Sequence, residues 1–151
     1  MENSVEMSYW LRDAEDALKT MQTINRTNYR SIIQNAQMAI ESSAKAIISC
    51  FSAIEWTHGP AKQLLGIIEL HKEKIIQKFG EKMFEELKTI VEDVKIAAPW
   101  HGKSVYGDFD RRIPAVELCT EDIARDLSNR AERTFMTAKK FLTEWFGEKQ
   151  W

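Results

Sequence analysis

The chain has 151 residues, enough for one hydrophobic core and too few for two ordinary domains. Lysine and arginine number 21 against 23 aspartates and glutamates, a net charge of −2, which excludes the strongly basic footprint of a wholesale nucleic-acid or membrane binder. Two cysteines make no disulfide scaffold, and no apolar run reaches the length of a membrane span. The opening residues Met1 to Glu6 show neither the basic region nor the apolar run of a secretion signal, so the expectation is a cytoplasmic protein with no membrane partner.

Met7, Trp10, Leu11, Ala14, Ala17, Leu18, Met21 and Ile24 recur at steps of three and four, one apolar stripe on a helix, with Asp13, Glu15, Asp16 and Lys19 on its other side. A turn is expected at Arg26, Thr27 and Asn28. The second stretch, Tyr29 to about Ile54, keeps its period through Ile32, Ile33, Ala36, Ala39, Ile40, Ala44, Ile47, Ile48 and Phe51. Its expected length is roughly 26 residues, about 39 Å. It carries few charges, which places it centrally in a bundle. His58, Gly59 and Pro60 end it.

A third stripe runs from Leu64 to Phe79, and Gly80 separates it from a fourth, Met83 to Val94. Pro99 is expected to stop that helix, because the residue before a proline is pushed out of the helical region. Trp100 to Cys119 has no helical period and reads as one long loop. Thr120 is a natural N-cap, with Glu121 and Asp122 favourable in the first turn of a fifth helix ending near Gly147. The tail with Lys149, Gln150 and Trp151 is expected to fray. These elements predict a single all-α domain over 1–151, core about 8–146: an up-and-down bundle of five principal helices with one long loop before the last.

Bundles often hold metals, but a di-iron site needs two Glu-x-x-His motifs and two further glutamates. The chain offers one such spacing, Glu55 with His58, and His71 has Glu69 and Glu73 at offsets that do not repeat it. The expectation is therefore no metal and no cofactor. Cys50 lies among isoleucines as a small buried hydrophobe, and Cys119 precedes a helix start that would lower its pKa, yet neither has a partner that makes it a nucleophile. No glycine-rich phosphate loop is present. Arg111 and Arg112, with Lys103 in the same aromatic-bearing segment, can hold phosphate through their planar forks or pin the loop on Asp108, Asp110 or Glu117.

The segment NAQMAIESSAKAI, Asn35 to Ile47, resembles the HEPN domain family. The likeness continues through Trp10 with Asp13, Glu15, Asp16 and Leu18, then Tyr29, then Ala36, Gln37, Glu41, Lys45 and Ala46. It extends to the Thr57–His58 pair and to Thr120 through Ala124. Family members often carry an Arg-Tyr-Pro-Asp loop where this chain has Val105, Tyr106, Gly107 and Asp108. Catalytic members are metal-independent ribonucleases with an arginine four to six residues before a histidine, and no arginine here precedes His58, His71 or His101 at that spacing. The resemblance thus implies a helical, frequently dimeric, non-catalytic module with a nucleotide or RNA role, or a partner of a nucleotidyltransferase. A ribonuclease with a non-standard site is the alternative. The candidate ligand-binding residues are His58, Trp100, Lys103, Tyr106, Arg111 and Arg112, with no catalytic residue assigned. Trp10, Tyr29, Trp56 and Trp100 are the candidate aromatics of a homodimer interface.

Overall fold

The computed structural model describes residues 2–147. It is all-α, but five principal helices undercount it. There are eight helical segments among the described residues, seven if the single turn α7 is set aside. They are α1 (Glu2–Thr23), α2 (Tyr29–Ser49), α3 (Ala61–Leu70), α4 (Lys72–Phe79), α5 (Glu81–Ala97), α6 (Trp100–Tyr106), α7 (Ala115–Leu118) and α8 (Glu121–Phe146). The tail residues Lys149 to Trp151 lie outside the described residues.

α2 is the centre. It packs most extensively against α1 and α8, with α6, α5 and α3 also on it. Fourteen of its 21 residues are buried, so covering comes from every side and not from one apolar face. Alanines and serines over Ala36–Ala46 keep its surface small, which lets neighbouring axes come close. Asn28 caps its start by accepting from Ser31 N. It ends at Ser49, short of Ile54: Cys50 and Phe51 switch their amides to Ile47 O and Ile48 O, closing the last turn with i→i+3 bonds. The first stripe is buried as its spacing requires: Met7, Trp10, Leu11, Ala14, Ala17, Leu18 and Met21 all face the core, and Ile24 packs against it.

Two features separate the observed helices from the expected five. The third stripe breaks at His71, whose φ of −102° and ψ of 15° leave the helical region. The backbone bends there, with His71 N still bonded to Ile67 O and Ile75 N to His71 O. The apolar period runs through the bend unbroken, so it is invisible in the pattern. The long loop is the other correction. Ala98 stays helical before Pro99 (φ −52°, ψ −45°), and Pro99, which needs no N–H partner at a helix start, opens α6 directly. α6 buries only Ser104, so seven residues with one inward side chain leave no stripe to read. The rest of the former loop is a tight turn over 108–113, closed by Asp108 N→Ile113 O at 2.8 Å and Ile113 N→Asp108 O at 2.9 Å, and then α7.

α8 begins where expected. Thr120 Oγ1 accepts from Ile123 N, and Gly147 takes the left-handed conformation at its end. It is tied to α5 by Asp93, fully buried, which accepts from Arg130 Nη1 at 2.9 Å, from Thr134 Oγ1 at 2.8 Å and from the Arg133 guanidinium. No helix among the described residues is long and apolar enough to cross a membrane.

Candidate functional site: a polar seam between α2 and α6

Gln37, Glu41 and Lys45 stand four residues apart, one polar line along α2. Glu41 is their hub. Lys45 Nζ lies 3.1 Å from its Oε2, and Gln37 Nε2 donates to its Oε1 at 3.0 Å. Only 5% of the Lys45 side chain and 13% of the Glu41 side chain reach solvent. Lys45 also sits 5.0 Å from the centroid of the Trp10 ring, so the ammonium is enclosed by a carboxylate and a π face.

The segment between α2 and α3 brings the next member. Gly59 N donates to Thr57 Oγ1 at 3.1 Å, folding a short turn that presents His58, and His58 Nδ1 comes 3.1 Å from Glu41 Oε1. The Glu55–His58 spacing noted in the sequence is not used: Glu55 N is bonded to Gln63 Oε1, and His58 turns to Glu41 instead. From α6, His101 lies flat on His58, ring centroids 3.5 Å apart at 14°, and its Nδ1 is 3.4 Å from Gln37 Oε1. Glu41, His58 and His101 thereby place one potential metal donor each within 4.8 Å of one another. His101, Gln37, Ser104, Gln34, Met38 and Val105 line a cleft of about 210 Å³ beside the pair. The Ser104 hydroxyl there is buried without a hydrogen-bond partner.

Arg30 fixes α6 onto α2. Its Nε donates to Ser104 O at 2.6 Å and its Nη2 to Val105 O at 2.9 Å, a cation on the carbonyls at the end of a helix. The cysteines have no part in this. Burial pushes the Cys50 thiol up to about 12. Burial also raises Cys119, against the lowering expected from the adjacent helix start, with the charge of Arg30 only partly offsetting it. Neither sulfur forms a disulfide.

The six candidate residues fall into two groups. His58 is held to α6 by stacking on His101, while on the same helix Lys103 Nζ lies 5.4 Å from the Trp100 ring centroid. Tyr106 is exposed at the end of α6. Arg111 and Arg112 occupy the 108–113 turn, which reaches α6 through Gly107. There the Arg112 guanidinium covers exposed Phe109 at 4.2 Å, and Asp108 Oδ1 accepts from the backbone N of Arg111. Neither guanidinium forms an ion pair with Asp108, Asp110 or Glu117 among the described residues. Of the interface aromatics, Trp10 is buried, Tyr29 and Trp100 are half-buried, and Trp56 is 84% exposed, tilted against Trp10 at 6.1 Å.

The candidate set omits Glu41, Gln37 and His101, which complete the seam. The available signals were the Glu41–Lys45 spacing and the Thr57–His58 pair; nothing local in the sequence links them to His101. A second cleft, about 350 Å³, lies between Arg26 and Tyr29 and the first turns of α8, and none of the candidate residues lines it. Arg125 on its wall is already paired with Glu121 at 2.9 Å.

Compared with known proteins, residues 7–142 match the family model described as the HEPN domain. No curated protein and no solved structure gives a significant match.

Proposed function

The chain belongs to the HEPN domain family, and we propose that it is a non-catalytic module of that family, binding a nucleotide or short RNA along α6 and the turn that follows. One observation carries this reading: among the described residues Lys103, Arg111 and Arg112 form no ion pair, while Lys103 lies over the Trp100 ring and Arg112 over Phe109, with Tyr106 exposed between them in the chain. Unpaired cations next to exposed rings suit a ligand that is anionic at one end and a flat base at the other. A core of isoleucine, alanine and phenylalanine offers a phosphate no comparable partners, and unpaired burial there would be costly. His58, exposed and stacked on His101 of α6, offers a further imidazole at the edge of that surface. The non-catalytic part rests on the missing arginine–histidine spacing and on Arg30, whose guanidinium is committed to the α6 carbonyls.

Titration of ATP and a short RNA at low salt tests it. Binding by the wild type that falls at least about tenfold in Arg111→Ala/Arg112→Ala, a loss of about 1.4 kcal/mol, fits the reading. No wild-type binding up to about 1 mM, where the free energy is only about −4 kcal/mol, contradicts it.

The His58–His101 pair favours a second reading, a metal-independent ribonuclease in which two adjacent imidazoles serve as acid and base. Cleavage of RNA that survives chelator and vanishes in His58→Ala or His101→Ala would replace the first reading with this one.

A homodimer is part of the proposal. α2, which carries few charges, is covered within one chain and lends a dimer no support; the support is exposed Trp56 and Tyr9, whose rings both contact Trp10. Light scattering that gives a monomer at tens of micromolar opposes it. A nucleotidyltransferase is the protein partner that the family resemblance adds. The buried, unbridged thiols fit a reducing, cytoplasmic setting.

A further inference from the structure

We infer that Glu41, His58 and His101 form a binding site for one divalent transition-metal ion, of the zinc, cobalt or nickel type. The inference is independent of nucleotide binding. The donors are one carboxylate oxygen and two imidazole nitrogens, delivered by α2, the turn before α3, and α6, and they lie within 4.8 Å of one another. Two imidazoles and one carboxylate suit borderline cations; magnesium and calcium would call for more oxygens.

The surroundings are those of a built ligand set. Glu41 is largely buried and its direction is fixed from both oxygens: Lys45 holds Oε2 at 3.1 Å, while Gln37 donates to Oε1, the oxygen that faces His58. Gln37 also reaches His101 Nδ1 through its own Oε1, so one amide orients two of the three ligands, as outer partners do around bound metals. His58 supplies the open side, its side chain 60% exposed, leaving room for water or an incoming ligand.

Two features limit the affinity. The Lys45 ammonium cancels much of the charge of Glu41, so the cation is held chiefly by the imidazoles. The stacked rings, 14° from parallel, do not aim both lone pairs at one point. Capture of the ion therefore requires His58 to swing off the stack, a motion its exposed turn permits. Metal–ligand distances of about 2.0–2.2 Å set tetrahedral donors about 3.4 Å from one another, so the three donors, now within 4.8 Å of one another, must draw closer.

The test is calorimetric titration of tag-free, chelator-stripped protein with zinc chloride, and visible absorption on adding cobalt chloride. One equivalent is expected to bind the wild type and His71→Ala, whose ring stacks on Phe51 away from the seam. Binding is expected to weaken at least about tenfold in His58→Ala and in His101→Ala. Circular dichroism checks that each variant is folded, and His58, being exposed, is the position least at risk. Stoichiometric zinc uptake that survives His58→Ala, or no wild-type uptake up to 1 mM zinc, overturns the site. Loss of nucleotide binding in the arginine variants leaves it untouched.

Discussion

Lys45 and Glu41 form an ion pair, 3.1 Å between Nζ and Oε2, that is almost wholly withdrawn from water inside the central helix. Burying two charges confers little net stability, because desolvation cancels most of the attraction, but removing one partner strands the other. Glu41→Ala is expected to lose about 3–5 kcal/mol, whereas the paired change Glu41→Leu/Lys45→Met recovers most of that loss. Urea midpoints of the three proteins check both statements.

Asp93 gives a contrasting case. It is fully buried, but its arginine partners are 24% and 51% exposed, so they regain water when the carboxylate is removed. Asp93→Ala therefore costs less than Glu41→Ala, about 2–3 kcal/mol, mostly from the stranded Thr134 hydroxyl and lost charge-assisted bonds. The same urea series ranks the two.

Gly107 links α6 to the arginine-bearing turn with φ 72° and ψ −153°, and a Cβ there would lie 2.4 Å from Ile113 O. Gly107→Ala is expected to lose about 1–3 kcal/mol from backbone strain, with displacement of the turn added to it. The melting temperature falls, and the nucleotide affinity falls with it.

Cys50 makes stability depend on alkaline pH. Burial raises its folded pKa to about 12, so above the ordinary thiol range, near pH 9, the unfolded chain releases a proton that the folded chain keeps. Stability consequently falls with rising pH across that window, by up to about 1.4 kcal/mol per unit. Cys50→Ala removes its share of this slope and leaves that of Cys119, whose thiol burial also raises. Unfolding curves at pH 8 to 10.5 should show the wild type losing stability faster than the variant.

The buried faces of α1, α2 and α8 were legible because they depend on spacing along one helix: Met7 to Met21 and Leu127 to Leu142 read the same in sequence and in space. The bend at His71 was not, since the apolar period on both sides stays in phase, and His71 N and Ile75 N keep i→i+4 bonds across it. α6 was hidden for the opposite reason, having one buried residue and therefore no period. The seam was less legible: His58 reaches α6 through His101, whose stacking on His58 joins segments separated by α3, α4 and α5. No local pattern encodes such a contact.

The central claim is that ligand binds along α6 and the 108–113 turn, and backbone amide chemical shifts test it most directly. ATP or a short RNA added to isotope-labelled protein at low salt should move the amides of Lys103, Tyr106, Arg111 and Arg112, and leave those around Arg26, Tyr29 and Arg125 in place. Shifts confined to the Arg26–Arg125 cleft, or no shift up to about 1 mM ligand, would contradict the account.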